Sequence, residues 1–159
     1  MGTVSVAQFI AQRVRNAGSA LTAACEKMPD DRIAWHPTTE GNTGRDALDQ
    51  LLECAYLSEW AAKGYAAKAL PAVDWDDYKK VCDAKRNKAE AVAWMKSATA
   101  ALADAIAAFP EAEIGNAITD VIHNTPSTWA DFAIDLLYWN NVYHEGQVNY
   151  IQVLYGDMS

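Results

Sequence analysis

The chain has 159 residues, 51% of them hydrophobic, and a formal net charge of −8. That length fills one core and is short for two domains. The acidity repels a phosphate backbone, which argues against nucleic-acid binding, and no apolar run approaches the ~20 residues that span a bilayer. The start, Met1 to Val6, lacks a basic region followed by an apolar stretch, so no signal peptide is expected. Cys25, Cys54 and Cys82 lie far apart and form neither a metal pair nor a disulfide framework, which suits a reducing cytoplasm. They read as small apolar helix residues rather than nucleophiles. Lys79, Lys80, Lys85, Arg86 and Lys88 form the main basic run, interleaved with acids, and read as a solvated helix face.

Ala-rich stretches of period 3.6 dominate, and β-branched alternation is nearly absent. The first helix is expected from about Val4 to Met28, with a stripe of Ile10, Val14, Ala17, Leu21, Ala24 and Met28, and Pro29 stops it. A loop dense in breakers follows from Trp35 to Gly44. Asp46 is a suitable N-cap for a second helix reaching about Ala69 before Pro71. Asp74 to Tyr78 reads as a short helical turn. The third helix spans roughly Lys85 to Phe109, its apolar residues keeping a seven-residue beat suited to shallow packing angles. Residues 111–124 read as a connection with a short helix through Ile114, Ile118 and Val121. Thr125-Pro126 reads as N-cap and first turn of a fourth helix that runs to Tyr155, with Gly156 as its C-terminal cap. The expectation is one all-α domain over residues 1–159, a four-helix bundle with long connections between helices one and two and between three and four.

One face of the last helix carries Leu137, Asn140, His144, Val148, Ile151 and Tyr155 at alternating steps of three and four. It is apolar except at Asn140 and His144, and buried polar groups need partners. Aromatic and polar neighbours, Tyr56, Leu57 and Trp60 on helix two with Trp139, Tyr143 and Gln147 on helix four, are candidates to line a pocket or to fill the core. Gly146, mid-helix, is expected where a neighbouring helix packs closely. His36, before Pro37, and His123, near a turn, read as solvent-facing or capping residues.

Met28-Pro29-Asp30-Asp31-Arg32-Ile33-Ala34-Trp35-His36-Pro37, the glycine-bearing loop, the helix opening at Asp46 and the terminal Asn140-x-x-x-His144-x-Gly146-Gln147 together resemble the DinB-like family, which includes bacillithiol- and mycothiol-dependent transferases. The resemblance implies a four-helix bundle, commonly a homodimer, with a divalent metal such as zinc or nickel held by three histidines. Two of these form a pair four residues apart on the last helix, and one stands seven residues after the second helix's N-cap. This chain has Glu53 and Asn140 at two of those positions and keeps only His144. The ligand set it implies is therefore Glu53, Asn140 and His144, in which an amide oxygen is a poor zinc ligand. A metal-free network is the alternative, with Glu53 accepting a hydrogen bond from His144. Two functions follow as expectations. One is a cytoplasmic small-ligand-binding or interaction protein with a decayed metal site. The other is a metal-dependent thiol transferase using Glu53 and His144.

Overall fold

Ser5 opens the first helix with a reciprocal cap: its hydroxyl accepts from the Gln8 N–H while the Gln8 side chain accepts from the Ser5 N–H. Helix α1 then runs Val6–Lys27. The computed structural model describes residues 3–40 and 42–157; Met1, Gly2 and Gly41, which entered the reading of the chain start and of the loop before the second helix, lie outside them. The stripe from Ile10 to Met28 is buried as its period requires. After α1 a short pairing of β1 (Thr38–Thr39) with β2 (Asn42–Thr43) tightens the loop.

Asp46 caps α2 (Ala47–Ala67) by accepting from the Asp49 N–H at 2.7 Å. The expected turn at Asp74 is a ten-residue helix, α3 (Trp75–Ala84), and α4 spans Lys88–Ala107 from an Asn87 cap. Helix α2 lies along α4, α4 along α1, and α1 along the C-terminal helix, which also touches α2. The α1–α4 approach is unusually close. A Cβ on Gly18 would stand 2.5 Å from Thr99 Oγ1, so only glycine fits there without displacing Thr99. At one end, Tyr65, Phe109 and Trp129 pack with ring centroids 4.9–5.4 Å apart, and the Tyr65 hydroxyl donates to Trp129 O.

The basic run is not simply a solvated face. Arg86 pairs with Asp46 at 2.6 Å and with Asp49, and Lys88 donates to Met28 O and Asp30. These contacts tie the start of α4 to the start of α2 and the end of α1.

The second difference lies between α4 and the last helix. The short helix through Ile118 and Val121 is instead an antiparallel hairpin, β3 (Ala117–Asp120) with β4 (Thr125–Thr128), in which Ala117 pairs with Thr128 and Asp120 with Thr125. Asn124 turns the corner with a φ of 53°. Thr125 and Pro126 are therefore strand residues, and the helix starts after Thr128, whose hydroxyl accepts from the Asp131 N–H. That helix has three parts: α5 (Trp129–Asp131), a π-helical stretch (Phe132–Tyr138) and α6 (Trp139–Leu154). Gly156 follows with a φ of +94°, as its place beyond the helix end predicts. The architecture is mainly helical with two small hairpins, and no helix among the described residues is long and apolar enough to cross a membrane.

Candidate functional site

Gln50 and Glu53 stand about one turn apart on α2, and His144 reaches them from α6. The His144 side chain is 4% exposed. Its Nε2 lies 3.1 Å from Glu53 Oε1; its Nδ1 lies 2.7 Å from Gln147 Oε1 and also meets Gln50 Oε1. Both ring nitrogens thus face side-chain oxygens. Arg45 closes the far side. Its Nη1 donates to Glu53 Oε2 at 2.7 Å and its Nη2 to Asp49 O at 3.0 Å. Burial alone would raise the Glu53 pKa, but the His144 hydrogen bond and charge, with those of Arg45, outweigh it and hold the carboxyl at about 2.

Glu53 and His144 therefore meet. Asn140 stays outside their network: its amide donates to Cys54 Sγ at 3.5 Å. The amide buried one turn from His144 is Asn141, which donates to Leu137 O at 2.6 Å. The inward face reads Leu137, Asn141, His144, Val148, Ile151, because the step after Leu137 is four rather than three. Gln147 joins the network as a pocket residue. Tyr143 is 46% exposed, stacks on Trp139 at 4.9 Å and presents an edge to His144.

Tyr56 and Trp60 belong elsewhere. They line a separate recess with Trp94 between α2, α3 and α4, where the Tyr56 hydroxyl contacts Asp74 O and Asp77 Oδ2. Gly146 does not receive a neighbouring helix, since a Cβ there would meet nothing within 4 Å. His36 is half-buried in the loop ahead of α2. Burial pushes the Cys25 thiol up to about 12, with Lys88 pulling weakly the other way, and pushes Cys54 well above the ordinary range, so neither is a ready nucleophile.

Sequence reasoning missed Arg45 and Gln50. Gln50, one turn before Glu53, shares its helix face and could have been found by spacing. Arg45 precedes the helix cap, and nothing in its spacing announces that its side chain turns back onto Glu53.

Two cavities flank the network. On the Arg45 side is an open groove of about 660 Å³, with Val142, Tyr150, Ile151 and Leu154 as apolar walls and Arg45, Gln50 and Gln147 as its polar edge. On the other side a smaller cavity of about 280 Å³ is lined by Glu53 and Asn140, the α3 aromatics and the β3–β4 turn.

The metal implied by the resemblance does not fit these residues as they stand. A ligand nitrogen must offer a lone pair, yet both His144 nitrogens are turned to protein oxygens, and each Glu53 oxygen holds a cationic or imidazole donor. Asn140 turns its amide nitrogen to sulfur. Among the described residues no three His, Cys, Asp or Glu side chains cluster in a way that could hold an ion. No protein family, curated protein or solved structure matches the chain.

Proposed function

We propose that the chain is a DinB-like four-helix bundle that has exchanged a metal centre for a protein network, and that it acts as a homodimeric small-ligand-binding protein. The observation that carries this reading is Arg45, whose guanidinium holds Glu53 and borders the groove beside His144. A fixed positive charge occupies the groove side of Glu53. Its remaining donors suit a ligand with an anionic end, while Val142, Tyr150 and Leu154 suit an apolar body. The exposed residues Trp139, Val142, Tyr150, Val153 and Leu154 continue that apolar surface along α6 and give a second copy a face to cover.

A zinc- or nickel-dependent thiol transferase is the second reading, and the 3.1 Å approach of His144 to Glu53 favours it. It requires Arg45 and Gln147 to withdraw. One experiment separates the two. Protein purified without a metal-affinity tag is analysed for bound elements, then titrated with 3-phenylpropionate. The binding reading expects well under one metal per chain, no thermal stabilisation by added zinc or nickel, and carboxylate binding lost in Arg45→Met and Tyr150→Ala. One tightly held equivalent, released by His144→Ala, together with metal-stimulated thiol conjugation, would establish the transferase instead.

A further inference from the structure

The smaller cavity is built from the opposite chemistry. Its roof is the β3–β4 turn, where Ile122 and His123 face the cavity. Asp120 sets that turn: Oδ1 accepts from the Ile122 N–H at 2.8 Å and the His123 N–H at 3.2 Å, and Oδ2 lies 2.6 Å from His123 Nδ1. The Asp120 side chain is only 10% exposed. Burial would raise its pKa, but the His123 ring and the two backbone N–H groups hold it below its ordinary value, so it is an anionic anchor. His123 Nδ1 faces Asp120, which leaves Nε2 as the ring nitrogen that no described residue bonds.

A surface pair of this kind contributes little to stability, whereas an oriented imidazole lining a cavity has a use in recognition. The Glu53 carboxylate lines the same cavity as the imidazole. Arg45 and Gln50 line the groove and not this cavity, so no cationic side chain lines it. The wall is aromatic. Trp75 is 57% exposed and edge-on to Tyr78 at 5.8 Å, and Leu57 and Leu136 complete an apolar body site.

We propose that this cavity binds a small organic ammonium, a primary or secondary amine on a compact apolar or aromatic body. The ammonium donates to His123 Nε2 and to Glu53, which keeps a free lone pair on each oxygen. Trp75 receives the charge over its ring, and the body lies against Tyr78, Leu57 and Leu136. A cavity of about 280 Å³ is at the small end of ligand sites, which limits the body to about one ring. The Glu53 carboxylate that attracts an amine disfavours a second carboxylate. The inference does not rest on the groove, which selects the opposite charge.

The test titrates 2-phenylethylamine into the full chain and follows the His123 imidazole and Trp75 indole signals by NMR. The expected result is saturable shifts at both residues, absent with 2-phenylethanol and 3-phenylpropionate at equal concentration. His123→Ala and Trp75→Ala, both at exposed positions, weaken amine binding by about tenfold or more, and circular dichroism confirms that they remain helical. Asp120→Asn, which frees the ring, weakens it as well. Tyr150→Ala, in the groove, leaves it unchanged. Equal binding of the alcohol or the carboxylate, no saturable shift with the amine, or undiminished affinity in His123→Ala would each overturn the proposal, whatever the groove binds.

Discussion

Glu53 stays ionised although it is three-quarters buried, and the pH dependence of the fold should show it. Its folded pKa of about 2 lies below the ordinary 4.5. A carboxyl depressed on folding adds stability that is complete above the unfolded value and is lost as pH falls through the folded one. Urea unfolding is therefore expected to show declining stability between about pH 4.5 and pH 2, with a shallower decline in Glu53→Gln. At neutral pH the same variant should lose about 1–3 kcal/mol, less than a fully buried pair because a quarter of the side chain remains wet. A Glu53→Gln protein with the parent's pH profile would show that the carboxylate gains nothing from His144 and Arg45. The pairing of Glu53 with His144 was implied by the resemblance, which puts one ligand position seven residues after the Asp46 cap and another on the last helix. Asn140 was misplaced against Asn141 because steps of three and four after Leu137 are equally helical, and only the fold decides between them. Tyr56 and Trp60, three and seven residues after Glu53, were grouped with it by spacing. They have turned toward α3 and α4 instead, while Leu57, four residues on, shares the Glu53 cavity.

The long helices were legible at the level of elements because their apolar stripes are continuous and their ends carry strong signals: Asp46 as a cap, and Pro29 and Pro71 as stops. The hairpin was not. Its strands have four residues each, one contains proline, and Ile114, Ile118 and Val121 imitate a helical stripe. Yet this hairpin supplies the Asp120–His123 pair. The α1–α4 contact gives a sharper prediction. Gly18→Ala improves helix propensity but drives a methyl into Thr99, which is 4% exposed. The clash should prevail and cost about 1–3 kcal/mol in denaturant unfolding. The double variant Gly18→Ala/Thr99→Ala should recover most of the loss. A stabilised single variant would mean that α1 and α4 separate freely.

At the scale of the molecule, the C-terminal helix from Phe132 onward is apolar on two sides. Inside lie Leu137, Val148 and Ile151; outside, Trp139, Val142, Tyr150, Val153 and Leu154 remain exposed. A lone soluble chain seldom leaves such a surface uncovered. Light scattering after size exclusion is expected to give twice the 17.4 kDa chain mass, and Tyr150→Glu with Val153→Glu should return it to the monomer without loss of helicity. A parent protein that is monomeric at all concentrations would remove the dimer from the proposed function. Overall charge and composition could not foretell this surface, because they do not distinguish an apolar residue in the core from one on an outer face.

The π-helical stretch from Phe132 to Tyr138 holds one residue more than regular winding requires. Surplus length of that kind is absorbed where it occurs, so the helix after Trp139 keeps its orientation. Loss of one residue inside the stretch would relax it to ordinary winding and leave the imidazole opposite its acid. Loss of one residue between Trp139 and His144 would swing everything after it by about 100° and turn the ring away from α2. Length variation among natural or engineered versions of this chain should therefore be tolerated on one side of Trp139 and forbidden on the other.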